Sequence, residues 1–313
     1  MRVVFVLAPG VHLLDLAGPA QVFHNDLLDY DLHWVAEDVE VATAQGLPVR
    51  AATTWPDLAV DDLVVIPGWR SPSLAATFAL GQVTLDQVRA HHDNGGMVVS
   101  VCAGADALGK AGLLDGRRCT THHDLQDELA RRYPRAAVVR DVLYVVDGRV
   151  ATSAGIASGI DLALHLVATR HGPAVAAKVA RSMVVYARRN GDERQASAML
   201  RHRSHVDDTV HRVQDLIDAR FTTTLPLVAL ADAAGVSPRT VTRLFGRATG
   251  LTPLRYQHLL RLERAEHLIG HGATVESAAR AVGFEDARML RRLRAASPLP
   301  PTPTRITSPS SPN

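Results

Sequence analysis

The sequence predicts two units: an α/β unit whose mostly parallel sheet is sandwiched between helices, then an all-α unit of paired helical hairpins. Three observations predict this. Short continuous apolar runs alternate with helical periods through residues 1–185, the pattern of strands buried on both faces and joined by crossover helices. From Val206 onward the apolar period is helical throughout. Charge divides in the same place. Residues 1–200 hold 18 Lys and Arg against 22 Asp and Glu, and residues 201–313 hold 16 against 10. A length of 313 residues suits about two domains, and a hydrophobic fraction of 47% excludes global disorder. Aromatic residues are only 4%, so the cores rest on Ala, Val and Leu.

Taken in order, Val3 to Leu7 reads as a buried strand and Asp15 to Asp29 as a helix. Strands follow at His33 to Ala36 and Val39 to Thr43. Leu63 to Ile66 is a strand stopped by Pro67-Gly68, and Leu85 to Asp93 is an amphipathic helix. Met97 to Val101 is a strand, Ala103 to Ala111 a helix closed by Gly112, Cys119 to Thr121 a short strand and Asp124 to Arg132 a helix. Leu143 to Val146 and Val150 to Thr152 flank Asp147-Gly148, a favoured two-residue hairpin turn. Ser158 to His171 and Ala174 to Tyr186 complete the unit as helices, which gives a domain over 1–187. Residues 188–205 are polar, basic and weakly periodic, and read as a linker.

The second unit spans 206–296. Val206 to Phe221 shows Val210, Val213, Leu216 and Ile217 to a core. Leu227 to Val236 and Ser237 to Phe245 form a hairpin that turns at Gly235. Ala229, Leu230 and Ala233 are expected on the first helix's apolar face, and Val241, Leu244 and Phe245 on the second's. Ser237 is a good N-cap and Pro238 fits the first helical position. The outer face carries Arg239, Thr240, Thr242 and Arg243, with Arg247 one turn on. This is the form of a helix-turn-helix whose second helix enters the DNA major groove. A helical hairpin with a solvated Arg face is the alternative. A long helix from Leu254 to His267 leads to a second hairpin, in which Val275, Ala278, Ala279 and Val282 face inward and Gly283 turns. Phe284 anchors its core, and Asp286 caps a helix bearing Arg288, Arg291, Arg292 and Arg294. From 237 to 264 there are six Arg and one Glu, so a polyanion is the expected partner. Residues 297–313 are rich in Pro, Ser and Thr and are expected to be disordered.

The cysteines, Cys102 and Cys119, are too few for a disulfide scaffold and fit a reducing, cytoplasmic compartment. The N-terminus reads as a strand rather than a signal peptide, and no uninterrupted apolar run is long enough to span a membrane. Chemistry concentrates in VVSVCAGADALG, which puts Cys102 on a sharp strand-to-helix turn of the nucleophile-elbow kind. Ala103 and Gly104 let backbone N–H groups approach a ligand, and the helix N-terminus is expected to acidify the thiol. Asp15, Gly68, Trp69 and His122 are expected to join Cys102 and Ala103 in a pocket at the sheet's carboxyl edge. The alternative for Cys102 is a buried, inert small hydrophobe. His122 and His123, adjacent on a strand, point opposite ways, so both cannot face that pocket. The fifteen His lack paired spacing, so no metal and no cofactor is expected.

The segments LLDLAGPAQVF, VVIPG, SVCAGADALGKAGLLDGRRCTTHHDL and ATSAGIASGIDLALHLV resemble the PfpI-like, class I glutamine-amidotransferase-like superfamily over residues 1–185. The resemblance implies a flavodoxin-like, amidotransferase-like fold. It also implies a nucleophile at Cys102, an acidic neighbour at Asp15 and a histidine at His122. Isonitrile hydratases of that superfamily use the aspartate of a DLxGP segment, which falls on Asp15 here. Trp69 departs from the usual PGG. The segments LADAAGVSPRTVTRLFGRATGLTPLRYQHLLRLERAEHLI and VESAARAVGFED resemble the AraC family of transcription regulators over residues 207–294. An amidotransferase-like domain before such a module is the GlxA-like arrangement. It implies double-stranded DNA as partner, a small-molecule effector and a homodimer. The family's closing helix after the second hairpin is absent here, which leaves that unit short of aromatic cover. Two functions follow: a DNA-binding regulator with a sensor domain, or a Cys102-dependent hydrolase or hydratase.

Overall fold

The computed structural model describes residues 1–70, 73–74, 80–185, 189–193, 195, 201–203, 205–270 and 272–296. The Pro/Ser/Thr-rich stretch 297–313, and part of 188–205, lie outside them. The chain divides into two compact units, Met1–Gln195 and Ala196–Asn313.

In the first unit the elements run β1 (Arg2–Val6), α1 (Leu13–Phe23), β2 (Asp31–Val35), β3 (Glu40–Val41), β4 (Val49–Arg50), β5 (Leu63–Ile66) and α2 (Gln82–Asp93). They continue with β6 (Met97–Val101), α3 (Ala105–Lys110), β7 (Arg118–Cys119), α4 (Gln126–Arg132), β8 (Ala137–Val138), β9 (Tyr144–Asp147), β10 (Val150–Ser153), α5 (Ser158–His171) and α6 (Pro173–Ser182). The main sheet has the order β2-β1-β5-β6-β10-β9, parallel except where β9 meets β10. Val3 to Val6, Val64 to Ile66 and Val98, Val99 and Val101 are all buried, as strands covered on both faces require. Pro19 and Phe23 of α1 and Leu162, Ala163 and Leu166 of α5 face Val65, Val99 and Val101 of the sheet. Chain order reverses beside β1, with β2 on one side and β5 on the other. That places a crevice outside the carboxyl ends of β1, β5 and β6.

Three expectations change here. Helix α1 stops at Phe23 rather than Asp29, because Asn25 Oδ1 accepts from Leu27 N (3.2 Å) and turns the chain. The strand expected at Val39 to Thr43 shrinks to Glu40–Val41, which pairs with Val49–Arg50 in a two-stranded ladder of its own. Residues 120–121 leave the β7 ladder, and His122 instead caps a 3-10 turn, His123–Leu125.

The second unit is helical: α7 (Asp208–Arg220), α8 (Leu227–Ala234), α9 (Pro238–Thr249), α10 (Pro253–Gly270), α11 (Val275–Ala281) and α12 (Ala287–Ala296). One core gathers Val210, Val213, Ile217, Leu230, Ala231, Ala234, Val241, Phe245, Tyr256 and Leu260. A second gathers Leu262, Ala265, Ala278, Ala279, Val282, Phe284 and Leu290, and Phe221 packs against both. The buried face of α8 is Leu230, Ala231 and Ala234, whereas Ala229 and Ala233 are exposed. Pro226 starts that helix, and the buried positions follow at i, i+1 and i+4.

Candidate functional site

Three neighbouring strands deliver the pocket residues. The chain leaving β1 brings Asp15 into the first turn of α1, β5 runs into Gly68 and Trp69, and β6 ends at Cys102. Cys102 has φ 54°, the strained left-handed backbone of an elbow, and opens a 3-10 turn through Ala103 and Gly104. Thr121 Oγ1 donates to Cys102 O (2.7 Å) and holds the elbow from outside. A Cβ on Gly68 would stand 2.4 Å from Asp15 Oδ2 and 2.6 Å from Cys102 Cβ, so only glycine lets the three strand ends close.

Asp15 is fully buried. Its Oδ1 accepts from Ile156 N (2.5 Å), while Oδ2 has no hydrogen-bond partner among the described residues. Burial pushes the Asp15 carboxyl above its ordinary value, against the Ile156 N–H and the charge of His12. Burial also pushes the Cys102 thiol up, and the carboxylates of Asp15 and Asp124 add to the rise. The Ala103 N–H works the other way and is outweighed. The expected acidification by the helix end is therefore reversed. A protonated thiol thus stands beside the buried carboxyl of Asp15. Trp69, next to Gly68, is buried with its indole N–H unpartnered among the described residues, so the chain here also carries an open donor.

His122 Nδ1 lies 3.5 Å from Asp124 Oδ2, and no hydrogen bond joins it to Cys102 among the described residues. Nor do His122 and His123 diverge. The 3-10 turn replaces the strand on which that expectation rested, and their ring centroids are 4.1 Å apart. Burial first, then His123, holds the His122 imidazole below its ordinary value.

The second unit presents a cation-bearing helix. Ser237 Oγ caps α9 by accepting from Thr240 N (3.2 Å), and Gly235 turns the hairpin at φ 69°. Arg239, Arg243 and Arg247 are exposed and take part in no ion pair among the described residues. Spaced by four, they form one stripe with about 6 Å between successive positions. The hydroxyls of Thr240 and Thr242 are engaged locally, with Ser237 Oγ (2.9 Å) and Pro238 O (3.1 Å), which leaves their methyl groups as contact surface. On α12, Asp286 Oδ1 accepts from Arg288 N (2.7 Å), as a cap does. Arg288 is exposed, Arg291 pairs with Glu276, and Arg292 lies against Met289 Sδ (3.1 Å). The second helix thus offers fewer unpaired cations than the first.

Arg261, in the middle of α10, was not anticipated. It is buried, its guanidinium lies 5.5 Å from the Phe284 ring, and it donates to Phe221 O (2.6 Å), Gly283 O (2.7 Å) and Thr223 O (2.8 Å). Gln257 Nε2 donates to Phe221 O and Thr223 O as well (2.9 and 2.6 Å). A Cβ on Gly283 would stand 1.8 Å from Thr222 O. One buried cation thus ties the turn of the second hairpin to the loop after α7. An arginine placed among apolar helix positions was the available signal.

Comparison with known proteins agrees with both halves. Residues 1–169 match the DJ-1/PfpI family, and residues 230–302 match a helix-turn-helix domain. The chain is 30% identical over 306 residues to the HTH-type transcriptional regulator CdhR of Pseudomonas aeruginosa, covering 94% of this chain and 89% of that protein. It is 38% identical over 170 residues to an isonitrile hydratase of Pseudomonas putida, covering 53% of this chain and 70% of the hydratase. Among solved structures, a THiJ/PfpI family protein from Pseudomonas syringae superposes with a TM-score of 0.53 at 24% identity, over 75% of this chain and 90% of that one, which supports the fold. With an elbow-bearing α/β unit and a paired helix-turn-helix unit both matched along a single relative, the chain belongs to the DJ-1/PfpI family, among its AraC-type transcription regulators.

Proposed function

We propose that in this DNA-binding transcription regulator α9 enters the major groove and grips double-stranded DNA through Arg239, Arg243 and Arg247, with Arg288 and Arg292 contributing from α12. The observation that carries this is the stripe on α9: three exposed guanidinium groups without acidic partners among the described residues. Charge of this kind serves phosphates, and Arg also reads guanine edges. The thymine methyl is the natural partner of the Thr240 and Thr242 methyl groups.

The first unit, on the same proposal, senses a small polar ligand in the Asp15–Cys102 pocket. Asp15 Oδ2 and the Trp69 N–H supply one open acceptor and one open donor. A route toward the linker starts at the pocket wall. Thr121 Oγ1 holds Cys102 O, and Gln195 Nε2 donates to Thr121 O (2.9 Å) and Val142 O (3.0 Å). A ligand that moves the elbow therefore acts on the chain where it leaves this unit. A homodimer is part of the proposal, since DNA modules of this form pair on symmetric or repeated sites. Gel shift of the full chain on promoter fragments, with and without metabolites that raise its thermal midpoint, tests the reading. Salt-insensitive or absent binding under every condition would sink it.

A second reading, a Cys102-dependent hydratase or hydrolase, is favoured by the close approach of Asp15 and Cys102 and by the identity to the isonitrile hydratase. It requires turnover of an isonitrile or amide that disappears in both Cys102→Ser and Asp15→Asn.

A further inference from the structure

Three consecutive side chains, including the two imidazoles expected to diverge, are brought together by the 3-10 turn that His122 caps. The arc is pinned at both ends. Thr120 N donates to Thr152 Oγ1 (2.8 Å) and Thr121 Oγ1 to Cys102 O before it. Leu125 N donates to His122 O (2.8 Å) and Gln126 Nε2 to Thr121 O (3.2 Å) after it. Thr120, Thr121, Leu125 and Gln126 are all buried, so the backbone that carries His122, His123 and Asp124 is already ordered.

One ligand-type atom from each of the three lies within 4.8 Å of the others. His122 Nδ1 is 3.5 Å from Asp124 Oδ2, and His123 Nε2 is 3.4 Å from Asp124 Oδ1. A tetrahedral ion with nitrogen and oxygen ligands at about 2.0–2.1 Å has ligand atoms roughly 3.3–3.4 Å apart. The carboxylate therefore already stands near ligand spacing from each imidazole, and a rotation of the exposed His123 ring closes the set. The Asp124 N–H approaches the same His122 Nδ1 at 3.4 Å, long for a hydrogen bond, so an ion displaces little.

We propose that His122, His123 and Asp124 form a site for one divalent transition-metal ion of the zinc class, with a fourth position open, beside the Cys102 pocket. Two imidazoles and a carboxylate suit zinc, cobalt or nickel rather than magnesium or calcium. Three protein ligands leave room for water or for a donor atom of a small ligand. The site adjoins the pocket through Thr121, which is the residue before His122 and bonds Cys102. The proposal stands apart from DNA binding and is tested separately from it.

The experiment uses the full chain, freed of metal with a chelator. It is titrated with Co²⁺ by visible absorption and with Zn²⁺ by calorimetry. One equivalent of tightly bound ion per chain, with the intense visible bands of a four-coordinate cobalt centre, is the expected result. Loss even of an outer-shell partner commonly costs about 10–100-fold in metal affinity, so His123→Ala and Asp124→Asn should each lose at least about tenfold. Both side chains are exposed, so the metal-free thermal midpoint of each variant should match that of the parent. His33→Ala, which removes a lone His–Asp contact elsewhere, should leave binding unchanged. Absence of saturable binding, or undiminished affinity in both His123→Ala and Asp124→Asn, overturns the site.

Discussion

Cys102 holds an elbow turn by position and is a protonated thiol by surroundings. Burial comes first and the Asp15 charge second in keeping its proton on. Free thiols ionise near pH 8.5. At that pH, alkylation of Cys102 in the folded chain should run at least tenfold slower than that of free cysteine, and Asp15→Asn should speed it. Peptide mass spectrometry separates it from Cys119, whose thiol burial pushes up to about 11. Reaction of Cys102 at the free-cysteine rate would contradict this account. Gly68→Ala should destabilise the first unit by about 1–3 kcal/mol in denaturant melts, since its Cβ has no space beside Asp15 Oδ2 and Cys102 Cβ. Gly68 and Cys102 were legible in the sequence because each closely follows an apolar strand run, and Asp15 because it lies in the DLxGP segment. Ile156, which supplies the Asp15 hydrogen bond across 141 residues, was not, because no local pattern encodes so distant a partner. His122 misled for the converse reason: its neighbours suggested a strand, and tertiary bonds made a turn.

At the scale of elements, Arg261 joins the loop that leads into the first hairpin to the turn of the second. Arg261→Met keeps the bulk of the side chain but strands Gly283 O and leaves Phe221 O and Thr223 O to Gln257 alone. It should cost the second unit about 2–4 kcal/mol in thermal or denaturant melts. It should also blunt the preference for one spacing between two DNA boxes more than it weakens binding to a single box. Unchanged spacing preference in Arg261→Met would show that the relative placement of α9 and α12 is fixed by other contacts. Long, strongly periodic elements could be read directly. Leu63–Ile66, Met97–Val101 and Ser158–His171 fall where their patterns put them. The two-residue ladders β3–β4 and β7–β8 could not be placed in full, because so short a pairing leaves no alternation to detect. The inward face of α8 was read one position off, since alanines on both faces blur the period.

Across the whole chain, buried His91 and the half-buried His122, His202 and His258 bear on the response to acid. Burial holds His91, His122, His202 and His258 below their ordinary value of 6.5. The unfolded chain therefore takes up protons on these groups before the folded chain does. Their stabilisation is complete above pH 6.5 and is lost as pH falls through the lowered folded-state values. Asp15, raised from 3.8, acts in the opposite direction, and its stabilisation fades as pH rises through its folded-state value. In Asp15→Asn, which removes the opposing group, Tm should fall between about pH 7 and pH 5. A flat Tm across that interval would contradict the burial of these imidazoles.

The division of charge between the units gives the most direct test of the central claim, that the exposed arginine stripe of α9 holds DNA. Affinity of the full chain for a promoter fragment, followed by fluorescence anisotropy across about 50–200 mM salt, reports how many phosphate contacts form. If Arg239, Arg243 and Arg247 each neutralise a phosphate, changing all three to Ala should flatten the log–log salt slope by about 2.7 and abolish most binding. A triple variant that keeps both the parent affinity and the parent slope would place the DNA contacts elsewhere and contradict the account.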